Sequence, residues 1–116
     1  MVRVRELPEL LAAAAVATIP EEALEVTLSS GYASDLLSNV MGQAKAEGVW
    51  VTMQGHQNVV AVAVLAGLGA VVVAGGTKPD GDAVRKAGQE GLPLFTTELS
   101  AFETVGRLYR AGVVGA

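Results

Sequence analysis

The sequence contains no cysteine. Disulfide scaffolds, thiol nucleophiles and thiolate metal sites are thereby excluded, and the absence suits a reducing compartment, so a cytoplasmic protein is expected. Histidine occurs once, as His56. One imidazole among scattered carboxylates is not a ligand set, and no metal is expected. Charge is scarce too: 17% of residues are charged and the formal net charge is −4. The 8 Lys and Arg residues are dispersed. Nucleic-acid binding needs a basic stripe, and none is present. Membrane-length apolar runs are also missing. "LLAAAAVATI" resembles the apolar region of a signal peptide behind Arg3 and Arg5, but Glu6 and Glu9 lie against it. It reads as an amphipathic first helix giving way to a short extended piece before Pro20. "VVAVAVLAGLGAVVVA", residues 59–74, is shorter than a membrane span and is split by Gly67 and Gly69. Helix, turn and buried strand is its better reading.

What remains is apolar. Hydrophobic residues make up 51% of the chain, and the mean hydropathy is +0.43. A chain of 116 residues has much surface to cover relative to its core. Some of that apolar surface is therefore expected to be buried against another copy, with a dimer favoured, or against a partner protein. No linker, low-complexity tract or charge run divides the sequence, so residues 1–116 are read as one domain.

Glycines set a rhythm in the second half. Gly48, Gly69, Gly91 and Gly112 follow one another at 21, 22 and 21 residues. The strand-like runs "VWVTM", "AVVVA" and "LPLFTT" follow the first three, and each run leads into a helix-length segment. Glycine just past a helix end is the usual left-handed stop, so these residues read as helix C-caps feeding the next strand. Helices are expected over 35–46, 58–67, 80–90 and 99–110. In the last, Leu99, Phe102, Val105, Leu108 and Tyr109 share one face, and Ser100 with Glu103 forms a capping box. In the first, Leu36, Leu37, Val40, Met41 and Ala44 form the stripe, with Ser34 or Asp35 as cap. "VVAVAV" is β-branched enough to be a strand, but Asn58 is a good cap and the rhythm needs a crossover there. Having no charge, this helix should be the buried one. "LEVTLSS" reads as a further strand upstream. The expected fold is α/β, a mostly parallel sheet of four to five strands with flanking helices and right-handed connections.

In such a sheet the C-terminal strand ends share one edge, where ligands tend to bind near helix N-termini. Four loops meet there: "SSGYASD", "QGHQN", "GGTKPD" and "TTELS". The candidate ligand-binding residues are Tyr32, Ser34, Asp35, Gln54, His56, Gln57, Asn58, Gly75, Gly76, Thr77 and Thr97. His56 can serve as an acid/base, contact a ligand, or simply bond a loop carbonyl. Gly75-Gly76 can let a phosphate approach the backbone, or can make a tight turn. Ser34 and Asp35 can orient a ligand, or cap a helix. Neither G-x-G-x-x-G after a strand nor a P-loop occurs, and no serine lies in a G-x-S-x-G elbow. No catalytic residue is assigned.

"GYASDLLSNVM", "VWVTMQGHQNVVAVAVLAG", "VVVAGGTKPD" and "GLPLFTTELSAFETVGRLYRAG", in that order, resemble a DRTGG domain, particularly its stand-alone form, over roughly residues 22–112. The resemblance implies a fold similar to the N-terminal domain of HPr kinase/phosphorylase and a regulatory, non-catalytic role with adenine-nucleotide control and dimer contacts. Gly75 and Gly76 match the family's glycine pair, and Ala74 stands where the threonine would. Gly55-His56-Gln57-Asn58 occupies the loop where the family's Asp-Arg pair would fall, so an arginine able to pair a phosphate is missing. The expectation is a non-enzymatic, homo-oligomeric regulatory module, with no cofactor beyond an adenine nucleotide or similar small ligand. The alternatives are a small enzyme using His56 with Asp35 and a pure assembly scaffold.

Overall fold

The computed structural model describes all 116 residues. A 3-10 turn (Val4–Glu6) runs into α1 (Leu7–Leu11) and then β1 (Ala13–Ala15). Next come α2 (Glu21–Leu24), β2 (Gly31–Ala33), α3 (Leu37–Gln43), β3 (Val49–Thr52) and α4 (Gln57–Leu65). The chain ends with β4 (Ala70–Val73), α5 (Gly81–Glu90), β5 (Leu94–Thr97) and α6 (Ala101–Arg110). The five strands lie in the order β1-β5-β4-β3-β2. β2 to β5 are parallel, and β1 joins β5 antiparallel. This is the expected α/β architecture.

Each parallel strand lies beside its predecessor, so right-handed crossovers place α3, α4 and α5 on one face of the sheet. Strand side chains alternate between faces. Trp50, Val71, Val73 and Leu94 pack with Val40, Val59, Val60, Ala63, Ala83 and Ala87 of those helices. Val49, Val51, Ala70, Val72 and Phe95 face the other way and pack with Leu7, Leu11 and Leu108 of α1 and α6. β3 and β4 are fully buried, which explains their unbroken apolar runs. Beyond β2, residues 114–116 lie along the sheet edge. The Gly31 N–H donates to the Val114 carbonyl at 2.8 Å, and the Ala116 N–H donates to the Gly31 carbonyl at 3.0 Å.

The short extended piece expected between the first helix and Pro20 is present: α1 stops at Ala12, in the left-handed region (φ 49), and the alanines that follow form the edge strand β1. Helical propensity favours continuing, but pairing with β5 prevails. "LEVTLSS" is not a strand: α2 takes its first residue and β2 begins later, at Gly31. Of the rhythm glycines, Gly91 is the left-handed cap of α5 and Gly112 follows α6 with φ 108. Gly48 and Gly69 are close-approach residues instead. A Cβ on Gly48 would sit 2.9 Å from the Lys45 carbonyl oxygen, and one on Gly69 would sit 3.1 Å from Leu28 Cδ2. Left-handed stops near those positions are made by Glu47 and Gly67.

The helix faces shift as well. In α3 Val40 is buried and Leu37 and Ala44 pack beside it as expected, while Leu36 and Met41 are exposed. α4 buries Val59, Val60 and Ala63 but leaves Leu65 76% exposed, so it is one-sided despite having no charge. In α6 the expected apolar stripe is divided: Phe102, Val105 and Tyr109 are exposed, Phe102 at 89%, whereas Leu108 is buried and with Thr104 holds the helix to the core.

Candidate functional site

The four βα loops do meet at the C-terminal edge of the parallel strands. The β2–α3 loop is tied to the β3–α4 loop through Asp35. Its Oδ1 accepts from Thr52 Oγ1 at 2.7 Å and from the Met53 N–H at 2.8 Å. Gln54 Nε2 donates to the Asp35 carbonyl at 2.6 Å, and the Gln54 N–H donates to Thr52 Oγ1 at 3.2 Å. Ser34 Oγ accepts from the Leu36 N–H at 3.0 Å, making a local turn and not a helix cap. The buried Trp50 indole donates to the Ser34 carbonyl at 2.8 Å. Thr52 is an essential member of this network, yet nothing in an apolar strand sequence separates its hydroxyl from an ordinary β-branched residue.

His56 is the N-cap of α4, and Asn58 is not. The imidazole Nδ1 accepts from the Asn58 N–H at 3.0 Å, satisfying one of the free donors of the first turn. That bond requires an unprotonated Nδ1, so Nε2 carries the proton of the neutral ring and has no partner within the chain. Gln57 and Asn58 are exposed beside it. His56 and Asp35 share no hydrogen bond, because each is held by neighbours in its own loop. The hollow beneath Gln54, His56 and Pro79 leaves no room for a water molecule.

The Gly75-Gly76 pair adopts left-handed backbone at both positions, φ +78 and +76. Its amides do not face outward. The Gly75 N–H donates to the Leu99 carbonyl at 2.7 Å and the Gly76 N–H to the Thr97 carbonyl at 3.0 Å, which binds the β4–α5 loop to the β5–α6 loop. A Cβ on Gly76 would meet only the carboxylate end of the exposed Glu98, which can move aside, so it is the positive φ that calls for glycine there. Thr77 is half-buried and Lys78 is exposed. Thr97 is 4% exposed and is turned inward, its Oγ1 donating to the Leu11 carbonyl at 2.7 Å. Tyr32 is half-buried against the Trp50 cluster.

The rim therefore divides in two. Tyr32, Ser34, Asp35, Gln54, Gly75, Gly76 and Thr97 are engaged by the fold itself. His56 Nε2, Gln57, Asn58, Lys78 and Glu98 are presented outward. No group of three or more His, Asp or Glu side chains is placed to hold a metal ion, and no helix is long and apolar enough to cross a membrane.

A second feature lies away from the rim and was not anticipated from the sequence. A cleft of ≈ 360 Å³ opens between α6, β2 and the C-terminal segment, lined by Val51, Val105, Leu108, Tyr109 and Val113 among others. Its size is that of a small ligand pocket or of a socket for one large side chain.

No family model matches the chain, and no curated protein matches it either. Among solved structures it is similar to the CBS and DRTGG domains of the regulatory region of Clostridium perfringens pyrophosphatase, complexed with the activator diadenosine tetraphosphate. The TM-score is 0.75 at 14% sequence identity, over 91% of this chain and 45% of that one. The chain thus spans less than half of that structure's length, and at this identity the likeness is one of fold. The fold expected from the resemblance to DRTGG domains is the fold that the chain has.

Proposed function

We propose that the chain is a non-catalytic, cytoplasmic regulatory module of DRTGG type, homo-oligomeric, which responds to an adenine nucleotide or similar small ligand. The supporting observation is its fold likeness to a regulatory region whose structure holds diadenosine tetraphosphate. The outward groups of the rim suit such a ligand. Lys78 makes no ion pair, and His56 Nε2 with the Gln57 and Asn58 amides can hydrogen-bond a base or ribose. Calorimetry and thermal melts with diadenosine tetraphosphate, ATP, ADP and AMP test this. Ligand at about a hundred times its Kd stabilises by about 2.7 kcal/mol, a rise in Tm on the order of 10 °C for a domain of this size. The rise should shrink in Lys78→Ala. Flat melts with all four nucleotides would remove the ligand from the reading.

One observation favours a second reading, assembly without a ligand. The Gly75 and Gly76 amides, which would cradle a phosphate, are bonded to the neighbouring loop. This reading expects flat melts together with an intact oligomer. The enzyme alternative needs His56 and Asp35 within hydrogen-bond reach of one another, and their engagement elsewhere gives it no support.

A further inference from the structure

The outward stripe of α6 runs Phe102, Val105, Gly106, Tyr109, at the three- and four-residue spacings that fill one helix face. All four are exposed. Gly106 sits mid-helix, where glycine is a poor residue, and a Cβ there would meet no atom within 4 Å. Packing within the chain therefore does not require it. An exposed glycine centred in an apolar helix face lets a second helix approach closely. Resting on the homo-oligomeric part of the proposed function, we propose that α6 packs antiparallel against α6 of a second copy, crossing at Gly106.

The face is complementary to itself under a two-fold axis at that point. Phe102 lies seven residues, roughly 10 Å along the helix, from Tyr109, which borders the 360 Å³ cleft. An antiparallel copy brings its own Phe102 opposite Tyr109, at the cleft mouth. Knob and socket then occur once on each copy and fill each other, as an isologous interface requires. The charges agree. Glu103 and Arg110 lie on the same flank of the stripe, one in each half of α6, and antiparallel packing sets each against the other on the partner. Within the chain Glu103 pairs with Arg107 at 3.0 Å, and Arg110 has no ion pair. A parallel helix pair would not bring these charges together.

The test is sedimentation of the full chain and its variants, with a melt of each to confirm folding, since every altered side chain is exposed. The wild type should dimerise at micromolar concentration, and Phe102→Ser should weaken the dimer by at least about tenfold. Glu103→Arg should weaken it, and adding Arg110→Glu should restore it. Gly106→Ala should raise the Tm of the dilute chain while loosening the dimer, a pair of opposite signs that a purely structural role would not give. Gly106→Cys, in a chain with no other cysteine, should yield a disulfide-linked dimer on mild oxidation. A wild-type dimer indifferent to Phe102→Ser and to the charge swap overturns the surface and leaves the homo-oligomer standing. A wild type that stays monomeric at 100 times that concentration overturns the homo-oligomer itself and gives the stripe to a different protein.

Discussion

Asp35 accepts two hydrogen bonds from the strand beside its own, and one donor is the buried Thr52 hydroxyl. Its carboxylate is thus a latch between two loops. Replacing Asp35 by Ala leaves the Thr52 hydroxyl and the Met53 N–H without their acceptor, and an unmet buried polar group costs about 1–3 kcal/mol. Urea unfolding of Asp35→Ala should show a lower midpoint at unchanged slope, with Asp35→Asn between it and the wild type. A second carboxylate acts at the surface. Arg5 donates its Nε to Glu25 at 2.8 Å, and Arg3 joins Glu25 at 3.0 Å, tying the N-terminal turn to α2. The hydrogen bond from Arg5 is the main cause that holds Glu25 below its ordinary value of 4.5, against a smaller opposing effect of burial. A carboxyl lowered by folding contributes stability that is present above its unfolded pKa and is lost as pH falls through the folded one. Stability should therefore begin to drop below about pH 4.5, and Glu25→Gln should flatten that part of the curve. An equal acid loss in both proteins would show that the pairing carries none of it.

At the scale of elements, α4 begins where an imidazole replaces the usual cap. Removing a side-chain cap costs about 1 kcal/mol, so His56→Ala should lower stability by that amount and His56→Asp should recover it. Asn58→Ala, altering a residue past the cap, should change little in the same melts. The strands β3, β4 and β5 and the helices α4, α5 and α6 were legible from the sequence, because unbroken apolar runs and glycine stops are local signals. At the sheet edges, an extended piece before Pro20 was legible, but its pairing with β5 and the place of β2 were not. Ala13–Ala15 is helical by propensity and becomes extended only because β5 offers a partner. Gly31–Ala33 has only Tyr32 with strand preference and is fixed by register with β3. Four loops do share the edge, but Gly31–Ala33 of "SSGYASD" and Thr96-Thr97 of "TTELS" are strand, so Tyr32 and Thr97 are not loop residues, and which groups face outward was not readable. Sequence shows that Gly75-Gly76 can adopt positive φ, and it does not show that both amides point at Leu99 and Thr97. The apolar residues of α6 belong to two faces, with Leu108 turned inward as expected and Phe102, Val105 and Tyr109 turned outward. An apolar face looks the same whether it meets its own core or another molecule, and only Thr104 beside Leu108 on the inner side settles the direction.

Over the whole molecule, two apolar clusters share one sheet whose central strands are shielded on both faces. The edges are closed by unequal means. β1 covers β5 through a strand of three alanines, whereas β2 is covered only by the bonds between Gly31 and residues 114–116. That second cover rests on two hydrogen bonds and on Val113, 6% exposed, which packs into the cluster beneath α6. The Gly31 amide accordingly serves as a clock for one event. In native-state hydrogen exchange it should open well below the free energy of global unfolding, while the Trp50 and Val72 amides in the sheet centre follow the global limit. Equal exchange rates would mean that the terminal segment opens only with the whole fold. If the segment does release first, each release bares a strand edge able to pair with any other extended chain. The lifetime of that one contact would then set how readily the protein aggregates.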